Sequence, residues 1–256
     1  MNTEIIKNIV LEAGALMLAG AKSKRVSQKG DSDFVTDSDL AVQNYVKEKL
    51  TSLYPDIGFL SEEESEQKMH VGKTWVLDPI DGTMNFIRDL GLSAVSLALV
   101  ENGQTVLGIV YNPFREELFC AERGKGATLN GEPICVRKTK EFSGALVAIG
   151  TAPYYKPAVG ACFEIYRELF LRGVDIRRLG SAAIDICYVA AGRFDCYYEY
   201  VLSIWDFAAA RLILTEAGGK ITDTNGEITG GALKSPIVAS NGYLHEELLN
   251  IIKEKA

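Results

Sequence analysis

The sequence predicts a two-lobed α/β protein, an α+β lobe followed by an α/β lobe, and three observations carry that prediction. Helical periodicity opens the chain, and a dense run of short apolar segments with turn signals follows. From about Ser143 the pattern changes to an alternation of strand and helix. At 256 residues, 47% hydrophobic and 24% charged, the chain is long enough to bury a large core. The division is placed so that residues 1–142 form the first lobe and 143–256 the second.

Taken in order, Ile5, Ile6, Ile9, Val10, Ala13 and Met17 recur at helical spacing, while Glu4, Lys7, Asn8 and Glu12 fill the other face. That pattern is an amphipathic helix rather than a signal peptide. A second helix is expected from about Leu40 to Tyr54, closed before Pro55. Strand-like segments follow at 58–60, 74–77, 94–100, 105–111 and 117–121, with "ENGQ" as a hairpin turn. The first half therefore reads as a helix pair laid on an antiparallel sheet. In the second half, strands at 145–149, 175–178 and 194–199 alternate with helices at 159–172, 182–191 and 206–217.

Charge and composition narrow the function. A net charge of -7 and a pI near 5.1 argue against nucleic acid held by a basic surface, although an acidic protein can still bind anions through a metal. No apolar run approaches membrane-spanning length, and the longest, such as Leu92 to Val100, contain serines. The expectation is a cytoplasmic protein with neither membrane nor nucleic acid as partner. Five cysteines without C-x-x-C spacing, and only two histidines, speak against a zinc site or a disulfide framework. The cysteines read as small buried hydrophobes.

The segment "WVLDPIDGTMNF" delivers Asp78 and Asp81 to the end of an apolar strand. Paired carboxylates there suggest a divalent cation bound through oxygen, and Gly82 and Thr83 begin a helical turn whose free N–H groups suit a phosphate. The plain alternative is a surface D-x-x-D turn, and spacing alone does not decide between them. Glu62 in "GFLSEEESE" is a ligand, or part of a solvated run in which Ser61 and Glu64 make a capping box. Asp206 in "SIWDFAAARLILTEAGG" is a ligand, or the N-cap of an apolar helix. Thr36 and Asp39 in "DFVTDSDLAV" also fit a capping box. Four plain explanations would all have to hold together.

The segments "LSEEE", "WVLDPIDGTMNF" and "WDFAAARLILTEAGG", in this order and spacing, resemble the three signature segments of the inositol monophosphatase family of magnesium-dependent, lithium-sensitive sugar phosphatases. "DFVTDSD", "GKGATLNGEPI", "GSAAIDICYVAAGRFDCYYE" and "GGKITDTNGE" extend the resemblance over nearly the whole chain. It implies a layered α-β-α-β-α sandwich, a homodimer, and two magnesium ions. Glu62, Asp78 and the backbone carbonyl of Ile80 would hold the first ion, and Asp78, Asp81 and Asp206 the second. Glu62 would also face a third, weaker ion. Gly82 and Thr83, beside Asp81, would bind the phosphate, and the Thr83 hydroxyl, oriented by Asp39, would position the attacking water. Ser181, Ala182 and Glu199 would line the polyol pocket. The resemblance implies hydrolysis of myo-inositol monophosphate by direct attack of metal-activated water, with no phosphoenzyme. Fructose 1,6-bisphosphate or a 3'(2'),5'-bisphosphate nucleotide is the alternative substrate on the same fold, and a non-catalytic metal-binding homologue the alternative of another class. Met84 departs from the pattern, since a second Thr is more usual there. Lys29 matches only loosely and stays outside the set.

Two other phosphatase signatures occur by letter. "CYVAAGR", from Cys187 to Arg193, satisfies C-x5-R, but helical spacing makes Cys187 a packing residue. "DSDFV", from Asp31 to Val35, fits D-x-D-x-[TV] without the buried strand such a nucleophile needs, so the match reads as chance.

Overall fold

The opening apolar periodicity folds as helix α1 (Thr3–Gly20), whose N-cap Asn2 accepts from the Glu4 N–H. Its buried stripe is Ile6, Ile9, Val10, Ala13, Gly14 and Met17. Ile5, expected in the stripe, is exposed, because one residue of offset turns it a full 100° away from Ile6. The computed structural model describes residues 1–255 except 23–24, 31–32, 65–67, 154 and 228–231, and of residues 29, 30 and 33 it describes the backbone alone. Asp31 and Ser32 of the "DSDFV" match and the Lys29 side chain thus lie outside the described residues. A hairpin of β1 (Val26–Gly30) and β2 (Asp33–Thr36) leads into α2 (Asp37–Leu53). That helix starts three residues before the expected point because Thr36 caps it. The Thr36 hydroxyl accepts from the N–H groups of Ser38 and Asp39, and the Asp39 carboxylate takes the Thr36 N–H at 2.8 Å.

The first sheet comprises β3 (Gly58–Ser61), β4 (Lys73–Asp81), β5 (Ala94–Glu101), β6 (Gln104–Asn112), β7 (Glu117–Glu122), β8 (Ala127–Leu129) and β9 (Glu132–Ile134), paired in chain order. A short helix α3 (Thr83–Ile87) interrupts the run after β4. The sheet is antiparallel except where β3 and β4 pair in parallel, which corrects the fully antiparallel expectation. The physical reason is that β4 begins beside the starting end of β3, Thr74 pairing with Gly58. The second sheet runs β11 (Asp175–Arg177), β10 (Leu146–Ile149), β12 (Cys196–Ser203), β14 (Lys234–Ser240), β13 (Lys220–Thr222), mixing parallel and antiparallel pairs. Helices α4 (Val159–Arg172), α5 (Ala182–Ala190), α6 (Ile204–Glu216) and α7 (His245–Lys253) complete the second half.

Successive residues of the central strands turn to opposite faces, both of them covered, and this makes five layers. One face of the first sheet, with Trp75, Leu77, Leu97 and Ile109, packs on α1 and α2. Its other face, with Leu60, Val76, Ala98 and Val110, packs on α5 and α6, which in turn cover Ala148, Tyr197 and Ala239 of the second sheet. Val147, Ile149, Tyr198 and Val238 face α4 and α7. The order is α-β-α-β-α, as the resemblance implied. α5 and α6 belong to the second half of the sequence but share one continuous core with both sheets.

No helix among the described residues is long and apolar enough to cross a membrane. Four cysteines are buried, whereas Cys135 is exposed and departs from the expectation. Cys187 lies fully buried inside α5, burial pushes its thiol well above the ordinary range, and Arg193 of the same letter pattern is instead bonded to Glu117 at 2.6 Å. That is packing, not a thiolate nucleophile.

His245 closes the C-terminal layer. Its ring nitrogens meet Thr222 Oγ1 at 2.9 Å and Ser240 Oγ at 3.0 Å, and burial pulls its pKa down to about 4. The native ring stays neutral where the unfolded chain already binds a proton, so this group's contribution to stability is lost as pH falls from 6.5 towards 4. His245→Gln should therefore be less stable than the wild type in denaturant titrations near neutral pH, with the gap narrowing as the solution is acidified through that window. A gap independent of pH would show that the ring does not titrate there.

Candidate metal centre

Strand parity decides where the two aspartates of β4 point. Val76 and Asp78 share the face turned to α5 and α6, while Trp75 and Leu77 face the other way. In a regular strand Asp81, three residues on, would turn away from Asp78. The register with β5 shifts between them, pairing Asp78 with Ser96 but Asp81 with Ala94, so β4 carries one extra residue. That bulge restores parity and brings both carboxylates to one side. Pro79 has no N–H to give to a ladder, and the N–H of Ile80 donates to Asp78 Oδ1 at 3.0 Å. With 2% and 7% exposure, Asp78 and Asp81 are not a surface turn.

Gly82 ends the strand at φ +86°, where a Cβ would come within 3.0 Å of the Leu92 carbonyl and 3.1 Å of the Gly180 carbonyl. Only glycine fits. α3 then starts at Thr83, whose hydroxyl donates to the Ile80 carbonyl at 3.1 Å. Asn85 donates to the carbonyls of Leu92 and Leu179, each at 2.8 Å, and Ser93 donates to Gly82 at 2.9 Å. The bond to Leu179 ties the turn to the loop preceding α5, and the other two tie it to the segment preceding β5. Met84, which departs from the family pattern, is exposed.

The remaining carboxylate comes from the second half of the chain. α6 begins at Ile204 with Ser203 as its N-cap, so Asp206 is its third residue and not the cap expected for an aspartate at a helix start. Asp206 Oδ2 accepts from the Ser203 N–H at 2.7 Å. Oxygens of Asp78, Asp81 and Asp206 all lie within 4.8 Å of one another. Asp81 in turn is held by the start of α5, through the Ser181 hydroxyl and the N–H groups of Ala182 at 3.3 Å and Ala183 at 2.8 Å. Glu62 follows β3 half-buried, its N–H donating to the Leu77 carbonyl at 3.3 Å. No helix begins at Ser61, and Glu64 is paired with Lys47 at 2.8 Å, so the capping box of Ser61 and Glu64 does not form. Asp39 serves in the α2 capping box, and its charge also reaches Asp78. Glu199 on β12 is buried, and its charge reaches Asp81 and Asp206.

The electrostatics follow from burial. Asp78 is pushed well above the carboxylate range by desolvation first, then by the charges of Glu62, Asp81 and Asp206. Asp206 is raised by desolvation, then by Asp81 and Glu62. Asp81 rises to about 6, again through desolvation, with the Ser181 hydroxyl and the Ala183 and Ala182 N–H groups pulling the other way. Buried carboxylates that repel one another make a hard, oxygen-only donor set, and this cluster can coordinate a metal ion. Magnesium fits such donors better than zinc does.

Some contributors were not assigned from the sequence. Ala183 acts through its backbone N–H, which no residue letter announces. Asn85 stood inside the quoted motif without a role. Asp185, one turn into α5, is buried and raised by desolvation and by the charges of Asp81 and Glu199. Its letter sat in an apolar helix with no spacing signal.

Comparison with known proteins agrees with this geometry. The model of the inositol monophosphatase family matches residues 2–256. The Nus factor SuhB of Xylella fastidiosa is 40% identical over 201 residues, covering 78% of this chain and 73% of its own. The inositol-1-monophosphatase of Rhizobium meliloti is 38% identical over 231 residues, covering 90% of this chain and 86% of its own. Among solved structures, the extragenic suppressor protein suhB of Bartonella henselae superposes with a TM-score of 0.93 at 33% identity and covers 99% of each chain.

The raised carboxylates yield a test whose readout is stability. Without a cation the folded state holds a proton on Asp81 that the unfolded chain has lost, between pH 3.8 and about 6, so stability falls as pH rises through that window. Asp78→Asn removes one of the repelling charges. The metal-free variant should have a higher Tm than the metal-free wild type near neutral pH, an advantage that shrinks below about pH 4. Magnesium should then raise the Tm of the wild type more than that of the variant. A Tm difference insensitive to both pH and magnesium would remove the cation-site reading.

Proposed function

The chain belongs to the inositol monophosphatase family, and from that premise we propose that it hydrolyses the phosphate monoester of a small polyol, myo-inositol monophosphate, with magnesium. The observation that carries this reading is the meeting of Asp78, Asp81 and Asp206 from both halves of the chain, within the electrostatic reach of Glu199. A carboxylate offered to substrate suits vicinal hydroxyls, and it repels the second phosphate of a bisphosphate. A relative named as a Nus factor stands beside one named as an inositol-1-monophosphatase, and the carboxylate cluster supports the phosphatase reading.

In this reading Glu62, Asp78 and the Ile80 carbonyl would hold one ion, Asp78, Asp81 and Asp206 would hold a second, and Glu62 would also face a third, weaker one. Magnesium bound there neutralises phosphate charge and lowers the pKa of a bound water. Gly82 and Thr83 present N–H groups to the phosphate. Thr83 gives its hydroxyl proton to the Ile80 carbonyl and so keeps its lone pairs for the attacking water; in this reading Asp39 is the carboxylate that orients it. Ser181 and Ala182 keep Asp81 in place at the pocket wall, and Glu199 receives polyol hydroxyls. The ligands come from residues 1–142, except Asp206, and the specificity residues from 143–256.

The chain acts in the cytoplasm as a homodimer. Val159, Phe163, Phe170, Leu171 and Val174, on or just after α4, are each more than half exposed and support self-association. Phe163→Glu should shift the molecular mass measured by light scattering towards the monomer.

A phosphate-release screen with magnesium over inositol 1-phosphate, fructose 1,6-bisphosphate and 3'-phosphoadenosine 5'-phosphate tests the substrate. Preference for the first is expected, and a clear preference for the last would overturn the polyol assignment. Asp206→Asn should lose more than the ~10–100-fold typical of residues that only support metal ligands. Cys187→Ser should retain activity, and Glu62→Gln should be far more damaging than Glu64→Gln.

A further inference from the structure

We propose that Tyr197 is a positioning residue that fixes the Glu199 carboxylate for substrate hydroxyls, together with a backbone turn at residues 150–152 shaped around that carboxylate. The proposal rests on the reading of Glu199 as the acceptor of polyol hydroxyls. Tyr197 and Glu199 stand two apart on β12 and therefore share the face turned to the middle layer. The Tyr197 hydroxyl donates to Glu199 Oε2 at 2.5 Å, and with Tyr197 fully buried no water competes for that bond. The Ala152 N–H donates to Glu199 Oε1 at 2.8 Å. Each carboxylate oxygen is thus held by one protein donor and keeps one in-plane lone pair free.

The turn that supplies the second donor is built for this purpose. Gly150 leaves room for the carboxylate, since a Cβ there would overlap its carbon and both oxygens. Ala152 is held at φ +38°, a left-handed conformation that an alanine adopts only when its surroundings require it, and it is buried. Two bonds anchor Gly150. Its N–H donates to the Tyr198 carbonyl at 2.9 Å, and its carbonyl accepts from the Tyr166 hydroxyl at 2.5 Å, reaching from α4 on the far side of the second sheet. The strained alanine and the absent Cβ both serve the carboxylate. A carboxylate held in this way presents two acceptors in fixed directions, which matches two neighbouring hydroxyls of a polyol.

The test compares kcat/KM for inositol 1-phosphate with that for p-nitrophenyl phosphate, which has no hydroxyls. The wild type, Glu199→Gln, Tyr197→Phe and Tyr166→Phe are all assayed with magnesium. Tyr197→Phe should lower the ratio about tenfold, the scale of one well-placed hydrogen bond, through a raised KM for the inositol phosphate with kcat retained. Tyr166→Phe should move it in the same direction by less. If Glu199→Gln lowers the ratio while a folded Tyr197→Phe keeps the wild-type value, the positioning role is overturned and the polyol reading stands. If Glu199→Gln leaves the ratio unchanged, both fail. Equal losses on the two substrates would mark Tyr197 as structural only and also overturn the proposal. Should Tyr197→Phe not fold, Tyr166→Phe decides, and a wild-type ratio there refutes the coupling of the turn to Glu199.

Discussion

Three aspartates that repel one another, Asp78 and Asp81 buried and Asp206 half-buried, are held within 4.8 Å, and much of the architecture serves that arrangement. Burying unpaired carboxylates costs several kcal/mol per group, more than any single bond around them returns. The fold offsets part of this cost with helix starts. Asp81 receives the hydroxyl and two N–H groups at the start of α5, Asp206 receives an N–H at the start of α6, and α3 begins immediately after Asp81. Positive ends of helix dipoles converge on the negative centre. The remaining cost of desolvation, and after it repulsion, appears as raised pKa values, and a bound cation would relieve both.

A bulge makes the convergence possible. Aspartates three apart on a strand face opposite ways, and the extra residue at Pro79–Ile80 undoes that parity. The bulge in turn needs Gly82 at positive φ to leave the strand, because carbonyls of Leu92 and Gly180 close around it. Asn85 then locks the turn to the loop before α5, and Ser93 locks it to the segment before β5. The same principle recurs at Glu199, where a glycine and a strained alanine are accepted so that one carboxylate keeps its direction. In both places the backbone is shaped to aim a carboxylate, and catalytic precision is paid for in local strain.

Most of the fold was legible because its elements are strongly periodic. The spacing in 3–20, the apolar runs of β4 to β7, and the strand and helix alternation after residue 143 all answer to local rules. Departures cluster where a cap or a crossover decides. α2 and α6 begin earlier than their apolar stripes because Thr36 and Ser203 cap them. The parallel pairing of β3 with β4 sets a direction between neighbouring strands that no local pattern encodes. Asp39 shows that a plain reading and a functional one can coexist, since it caps α2 while its charge reaches the cluster.

By itself the sequence determined which residues can do the chemistry: hard oxygen donors in "DPIDGT" and "WDFAAA", a glycine at the strand end, and helical spacing that removes Cys187 from contention. Side-chain chemistry and local periodicity are properties of short segments, so they can be read one segment at a time. Only the tertiary structure decided that Asp206 meets Asp78 and Asp81, that the N–H groups of Ala182 and Ala183 hold Asp81, and that Tyr197 and Ala152 grip Glu199. Most of these depend on backbone groups and on contacts between segments far apart in the chain, where distance in the chain carries no record of distance in space.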